Sequence, residues 1–186
     1  MGGESITRLL EQVDAGDRAA FDCLFVQLHA QLREAAHRQL RQCDGSLSTT
    51  ALVNQTWLKL APARLQARDR GHFIAIAARA MRMIVVDQAR RLHADKRGGG
   101  QLRVTLDTGV ADDTHDLDEL LALDAALQRL AATDARLAQL VEWRYFGGLG
   151  DDEVAARLGV SVRTVRRDWR KARAFLYRDM TRGDEA

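Results

Sequence analysis

The residues best suited to chemistry are arginines near the end of the chain, spaced to share one face of a helix. Between positions 162 and 178 the sequence has seven basic residues and one acid. Four arginines fall at positions i, i+3, i+4 and i+7, so a helix would align them. They are Arg163, Arg166, Arg167 and Arg170. Guanidinium groups bind phosphates and guanine edges, so this face is a candidate for DNA binding.

The flanking sequence predicts the two helices that would position this face. The second helix has an apolar stripe at Val165, Trp169, Ala172 and Leu176. Ser161 can cap it, and Gly159 suits the left-handed turn that ends the helix before it. Asp151 or Asp152 is predicted to cap that earlier helix. The combination is typical of a helix-turn-helix, whereas an arginine-rich face alone is more often simply solvated.

Composition predicts an all-α protein. The 186 residues include one proline and only 5% aromatics, which argues against a β-sandwich, and 46% are hydrophobic, enough for helical cores. The net charge is only +2, so the positive charge is local. Cys23 and Cys43 lack CxxC spacing and are predicted to be reduced thiols of a cytoplasmic protein. No membrane span or signal peptide is predicted.

Catalytic and metal-binding signatures are weak. His29 and His37 lie about two helical turns apart, but no third ligand is evident, so no metal site is expected. Gly98-Gly99-Gly100 does not follow a strand and has no Lys-Ser/Thr after it, which argues against a phosphate-binding loop. No enzyme activity and no cofactor are predicted.

Helical periodicity and linker composition divide the chain into two modules. The first covers residues 1–97, a glycine-rich and then acidic linker covers 98–115, and the second covers 116–186. Predicted helix caps are Ser5, Asp17, Ser48 or Thr49, and Asp116 or Asp118, and a further helix is predicted to start at Thr133-Asp134. Apolar spacing after Asp17 predicts one helical run from Phe21 to Leu40. A long helix is predicted from Phe73 to Leu92, and its basic end forms a second positive patch. Residues 45–58, by contrast, contain no charged residue in a chain that is 29% charged.

These motifs resemble those of bacterial RNA polymerase sigma factors of the sigma-70 family, in the small extracytoplasmic-function group. Residues 140–149 (LVEWRYFGGL) and the two helices after them resemble region 4. Residues 52–60 (LVNQTWLKL) and the helix over 73–91 resemble region 2. The run RRDWRKARA at 166–174 resembles one branch of the group, which lacks the usual region 2 acids and is associated with Ser/Thr kinases.

The resemblance implies an alternative sigma factor that directs promoter-specific transcription by core RNA polymerase. Implied polymerase partners are the β′ clamp helices and the β flap. Implied contacts with the promoter minus-35 element are Arg163, Thr164, Arg166, Arg167 and Arg170. Implied contacts with the minus-10 element are Arg79, Arg82, Gln88, Arg90 and Arg91, while residues 61–70 would shape a pocket for an extruded base. Implied polymerase contacts are Thr50, Leu52, Val53, Asn54, Gln55 and Trp57.

The uncharged segment departs from the family pattern. Four positions where family members usually carry acids are Ser48, Thr50, Ala51 and Gln55 in this chain. In one interpretation other contacts compensate, and the hydroxyls only cap the helix. In the other, a Ser/Thr kinase phosphorylates Thr50, with Thr49 and Ser48 as alternatives. A phosphate at a helix N-terminus would restore the missing negative charge.

A second function class is a stand-alone helix-turn-helix regulator that binds operator DNA without polymerase. Residues 1–97 would then dimerise or sense a ligand. This alternative leaves the basic helix of the first module unexplained, and co-purification with core polymerase distinguishes the two functions.

Overall fold

The computed structural model describes residues 5–41, 47–63, 65–97 and 113–183, with the side chains of 95–97, 113–117 and 182–183 outside that description. Within these ranges the chain forms helices and turns but no β-strand, so the predicted all-α class is confirmed. The helices are α1 (Ile6–Asp14), α2 (Arg18–Gln27), α3 (His29–Leu40), α4 (Thr49–Leu60), α5 (Arg70–Arg97), α6 (Asp113–Thr133), α7 (Ala135–Val141), α8 (Asp151–Leu158) and α9 (Val162–Gly183), and a π-helical turn (Glu142–Phe146) follows α7.

Polar side chains start several helices where the sequence predicted them. The caps of α1, α2, α4 and α7 are Ser5, Asp17, Ser48 and Asp134. Each side-chain oxygen accepts a hydrogen bond from a backbone N–H two or three residues later. These bonds satisfy amides that have no partner inside the helix, which is why short polar residues are selected there.

The caps predicted for α6 and the continuous helix predicted after Asp17 are both wrong. Asp116 and Asp118 do not cap α6, because that helix already begins at Asp113. The run from Phe21 to Leu40, predicted as continuous, is broken at Leu28, whose φ of −97° and ψ of 6° lie outside the helical region. Leu28 is buried, and its N–H and carbonyl still bond to the helical turns on either side. The apolar spacing continues through this bend, so the spacing alone did not predict the break between α2 and α3.

The long basic helix α5 starts at Arg70, slightly earlier than the predicted Phe73, because Asp69 provides a cap. The Asp69 carboxylate accepts from the His72 N–H at 3.0 Å. The predicted linker over 98–115 lies almost entirely outside the described residues, and so does Cys43. Cys23 is a free and exposed thiol.

Aromatic rings form the centre of the first core. Phe73 of α5 is fully buried and lies edge-on to two rings of α2, with centroid distances of 6.4 Å to Phe21 and 6.3 Å to Phe25. Leu9 of α1, Leu32 of α3 and Leu52 of α4 belong to the same cluster. Burial of this apolar surface is the main favourable contribution to folding.

Helices from both predicted modules pack against each other. The cluster around Phe73 continues into Leu140 of α7 and Val154 of α8. A second cluster, which includes Leu130 of α6 and Ala172 of α9, contains Ala78 of α5. The division into two modules stays a prediction, since shared packing neither requires nor excludes separate folding of each half. No helix among the described residues is both long and apolar enough to cross a bilayer.

Replacing Phe73 with alanine should lower the free energy of unfolding by about 3–5 kcal/mol, because a large buried ring would leave a cavity. Urea denaturation followed by circular dichroism measures this loss. Val26→Ala removes an apolar side chain that is 76% exposed on the same half of the chain, and should change stability by no more than about 0.5 kcal/mol. Equal effects of the two substitutions would contradict the assignment of this core.

Candidate functional site

The turn between α8 and α9 has the geometry predicted for a helix-turn-helix. Gly159 ends α8 with a φ of 64°, in the left-handed region that glycine adopts without steric cost. Ser161 then caps α9, its hydroxyl oxygen accepting from the Thr164 N–H at 3.2 Å. The cap predicted for α8 is wrong, however. Gly150 occupies the N-cap position, and its N–H donates to the Glu153 carboxylate at 3.0 Å, while Asp151 and Asp152 lie in the first turn.

One face of α9 is buried and the other carries the arginines. Val165, Ala172 and Leu176 are buried and Trp169 is half-buried, as the periodicity predicted. The four arginines are all exposed, and with Thr164 they line a shallow groove of about 480 Å³. The helix therefore presents a continuous row of guanidinium donors to solvent.

One of these arginines, Arg166, is held by a carboxylate at the start of α8. Arg166 Nε donates to Asp151 Oδ2 at 3.0 Å, and the other oxygen of Asp151 lies 3.0 Å from Nε of Arg144. Arg144 in turn lies over the Trp169 ring, 4.6 Å from its centroid. Asp151 thus fixes the start of α8 against α9, a role that differs from the predicted cap.

The acid within the basic run is a structural residue that the sequence reading missed. Asp168 is 1% exposed, accepts from Arg136 Nη2 at 2.6 Å and lies 3.3 Å from Arg167 Nε. Asp168 lies three residues after Val165 and four before Ala172, which places it on the buried stripe of α9. This spacing could have predicted its burial from the sequence. The pair ties α9 to α7 and sets the direction of Arg167.

The predicted minus-10 residues lie along α5, but the structure gives them different environments. The side chains of Arg79 and Arg90 are 65% and 56% exposed, and Arg91 is also exposed. Gln88 is half-buried. The Arg82 side chain is only 12% exposed, and its guanidinium bonds to carboxylates of the other half of the chain.

The predicted polymerase residues divide between the surface and the core of α4. Thr50, Asn54 and Gln55 are exposed, and Trp57 is half-buried with its Nε1 donating to Asp22 at 3.0 Å. Leu52 and Val53 are 0% and 1% exposed, so they pack in the core and hold α4 in place. A shallow cavity of about 390 Å³ lies beside the exposed residues, between α2 and α4.

The candidate phosphorylation sites lie at the start of α4. The Ser48 hydroxyl is engaged as the cap, accepting from the Ala51 N–H at 3.1 Å. Thr49 is half-buried and Thr50 is exposed in the first turn. Thr50 is therefore the most accessible hydroxyl of the three that is not already used as a cap.

A cleft of about 630 Å³ lies where Asp69, before α5, meets Arg157 of α8. Both terminal nitrogens of Arg157 bond to the Asp69 carboxylate, Nη1 at 3.0 Å. This hydrogen bonding lowers the pKa of Asp69 below its ordinary value. Burial lowers the pKa of the neighbouring His72, and the positive charge of Arg157 lowers it further.

Among the described residues, no group of three or more histidine, cysteine, aspartate or glutamate side chains is placed to hold a metal ion. The arrangement offers guanidinium donors on two separate helices and an exposed polar helix start. Such groups bind anions and protein surfaces, and they suit recognition of nucleic acid.

Comparison with protein families gives a match over nearly the whole chain. A family model described as ECF sigma factor matches residues 3–182. Comparisons with curated proteins and with solved structures gave no match.

Asp168→Asn should lower the free energy of unfolding by about 1.5 kcal/mol, since hydrogen bonds to a charged partner contribute roughly 1.5–3 kcal/mol and Arg136 is partly solvated. The change keeps the shape of the side chain but removes its charge. Asp152→Asn makes the same change at an exposed position in the first turn of α8 and should cost only a few tenths of a kcal/mol. Thermal unfolding of both variants measures the difference. An equal loss of stability in the two variants would contradict a stabilising role for the buried Asp168 carboxylate.

Proposed function

We propose which surfaces of this chain recognise a promoter and which contact polymerase, starting from its family: the chain belongs to the ECF sigma factor family, whose model matches residues 3–182 of the 186 residues. Members of this family are alternative sigma factors that act with core RNA polymerase on promoter DNA, and they are not enzymes. The observation that carries the detailed proposal is the exposed arginine face of the capped helix α9.

In this proposal α9 enters the major groove of the minus-35 element. Arg163, Thr164 and Arg170 would reach base edges or phosphates directly. Arg166 and Arg167 would contribute with their directions set by Asp151 and Asp168. A helix-turn-helix reads bases with the N-terminal part of its second helix, and these residues occupy the first three turns of α9.

Helix α5 is proposed to bind the minus-10 element as its strands separate. Arg79, Gln88, Arg90 and Arg91 offer donors to phosphates and unstacked bases, and Arg82 would join them once its present partners move away. Residues 1–97 and 116–186 would then act as the two DNA-binding modules, joined by residues 98–115.

Helix α4 is proposed to contact core polymerase through its exposed residues. Thr50, Asn54, Gln55 and the edge of Trp57 would face the β′ clamp helices, while Leu52 and Val53 support them from the core. The β flap would be the partner of the second module.

Regulation of this contact is proposed to depend on phosphorylation of Thr50 by a Ser/Thr kinase. Helix α4 has no acidic residue in its first turn, so its positive N-terminal end is not balanced by any side chain there. A phosphate on Thr50 would sit at this end and add up to two negative charges to a segment that has none. Thr49 and Ser48 are less suited, since one is half-buried and the other caps the helix.

Stand-alone binding to operator DNA is the competing function. It needs α9 but gives no role to the arginines of α5 or to the surface of α4. Retention of the purified chain by core polymerase, and promoter binding only in its presence, distinguish a sigma factor from such a regulator.

Arg163→Ala and Arg170→Ala should each reduce transcription from a cognate promoter about tenfold, since one arginine–guanine pair discriminates by ~1–3 kcal/mol. The measurement is in vitro transcription with core polymerase on a promoter mapped after overexpression of the protein. Arg178→Ala serves as the control, because Arg178 is exposed near the end of the same helix, over the Phe175 ring. A comparable loss in this control would mean that net charge, and not the first turns of α9, determines binding.

Thr50→Glu should bind core polymerase about tenfold more tightly than Thr50→Ala, since one new charge contact of about 1.4 kcal/mol changes a Kd by that factor. Unmodified wild-type protein should bind like Thr50→Ala, and the phosphorylated form, verified by mass spectrometry, should bind like Thr50→Glu or better.

Thr7→Glu is a matched control for this experiment. Thr7 is exposed and, like Thr50, is the second residue of a serine-capped helix in the first half of the chain. Equal polymerase binding by unmodified wild type and all three variants would exclude the proposed switch, whereas an equal gain in Thr7→Glu would show that any added charge suffices.

A further inference from the structure

We propose that two carboxylates of the second half of the chain, Asp124 and Glu142, act as an internal competitor for nucleic acid. We call them the acidic pair. In the structure they bind arginines of α5 that promoter DNA would otherwise contact, so the free protein masks one of its own DNA-binding surfaces. The inference rests on the proposed role of α5 in DNA binding and adds its regulation.

Arg82 is the centre of this contact. Its Nη1 bonds to Oδ1 of Asp124, and its Nη2 donates to Oε1 of Glu142 at 3.0 Å. The Arg82 side chain is 12% exposed, and those of Asp124 and Glu142 are 7% and 17% exposed. A phosphate cannot reach a guanidinium whose two terminal nitrogens are both covered by carboxylate oxygens.

The same two acids also hold the neighbouring arginines of α5. Arg90 Nη2 donates to Oδ2 of Asp124 at 3.0 Å, and Arg79 Nε lies 3.8 Å from Oε1 of Glu142. Gln128 Nε2 donates to Oδ2 of Asp124 at 2.7 Å and orients this carboxylate. Two acids thus contact three of the four arginines proposed to bind the minus-10 element: Arg82, which they cover, and Arg79 and Arg90, which stay more than half exposed. In the proposal, the carboxylates compete with phosphates for these guanidinium groups.

Further contacts on both sides hold the halves together around the acidic pair. Arg157 bonds to Asp69 at one side, and Arg38 Nη2 donates to the Gly147 carbonyl at 2.9 Å at another. His93 Nε2 lies 3.1 Å from Asp118 near the end of α5. The acidic pair is therefore part of an extended interface.

This interface is incompletely satisfied, which suits a contact that must open. Among the described side chains, the Nε atoms of Arg38, Arg82 and Arg157 are buried without a hydrogen-bond partner. All three arginines bridge the two halves. A buried donor without a partner has lost its hydrogen bonds to water and gained none from the protein. Separation of the halves would let water solvate each of these nitrogens again, which favours opening.

Opening would then be driven by partners that bind only the separated halves. Nucleic acid supplies phosphates for the freed arginines, and polymerase bound to both halves would hold them apart. When only a fraction of the free chain is open, its apparent affinity for nucleic acid falls by that fraction.

The test uses the full chain without polymerase, so its outcome is independent of whether the chain acts as a sigma factor. Asp124→Asn and Glu142→Gln remove one charge each from the acidic pair and keep the side-chain size. Small-angle X-ray scattering reports the radius of gyration, which for a compact chain of this length is about 16 Å. Fluorescence anisotropy reports binding to a single-stranded DNA of mixed sequence, about 20 nucleotides long.

Wild-type protein should be compact and bind the strand weakly. Each variant should have a larger radius of gyration and bind about fivefold or more tightly, because a greater fraction is open. Binding by the variants should also depend more steeply on salt, by roughly 0.7 in the logarithmic slope for each additional phosphate contact.

Asp179→Asn is the matched control. Asp179 accepts from Arg129 Nε at 2.7 Å, and this pair joins α6 to α9 within the second half. The substitution makes the same change in net charge without touching the interface, so the radius and the salt dependence should stay as in wild type. If Asp179→Asn strengthened DNA binding as much as Asp124→Asn does, the proposal would be overturned in favour of a general effect of net charge.

Asp69→Asn and Arg157→Gln provide a second route if a change in the acidic pair unfolds the chain. They weaken the interface at its exposed side, away from the arginines of α5, and asparagine can still cap that helix. Both should expand the protein and strengthen DNA binding, with an unchanged helical circular dichroism signal. Variants that stay compact, or that expand without binding DNA more tightly, would each refute the masking role of the acidic pair.

Discussion

The pairing of Arg82 with Asp124 and Glu142 is the constraint on which the arrangement of the two halves depends. Charges removed from water are tolerated only when they meet opposite charges with good geometry. Arg82 lies on α5, in the first half, and its partners lie on α6 and the π-helical turn, in the second. With these three side chains buried together, α5 lies against α6, and apolar residues of both halves, among them Ala78 and Leu140, are buried at the same interface.

This constraint gives the two basic helices different environments. The arginine face of α9 is open to solvent. On α5, Arg82 is covered by the acids of the second half, whereas Arg79 and Arg90 contact these acids and stay more than half exposed. A sigma factor that kept both surfaces open would bind DNA non-specifically through phosphates alone. Under the proposed roles of α5 and α9, full DNA binding would need a partner that separates the halves. The uncharged start of α4 would be a distinct point at which binding of that partner is controlled.

Local features of the sequence predicted much of the fold. Serine and aspartate caps, the glycine after α8 and the apolar spacing of α9 each act within one helical turn, so they could be recognised without knowledge of the tertiary structure. The predictions that failed concern groups with several possible roles. Asp151 has the right type for a cap, but the structure uses its carboxylate to hold Arg144 and Arg166. Leu28 fits an unbroken helix, but the chain bends there. Leu52 and Val53 are buried, and their predicted contact with polymerase stays a prediction.

The all-α class, most helix starts, the helix-turn-helix and the arginine face of α9 could therefore be predicted, because each depends on residues close together in the chain. Which of the predicted site residues are accessible, in contrast, depends on how the helices pack. Asp124 and Glu142 are separated from Arg82 by 42 and 60 positions, and nothing in their local sequence distinguishes them from other acids on helix surfaces. Pairing between distant charges is set by how helices pack, and packing depends on the shapes of many side chains at once. The proposed masking of α5 therefore depends on long-range packing. The arginine face of α9 depends only on the local spacing of its residues, so it could be predicted from the sequence.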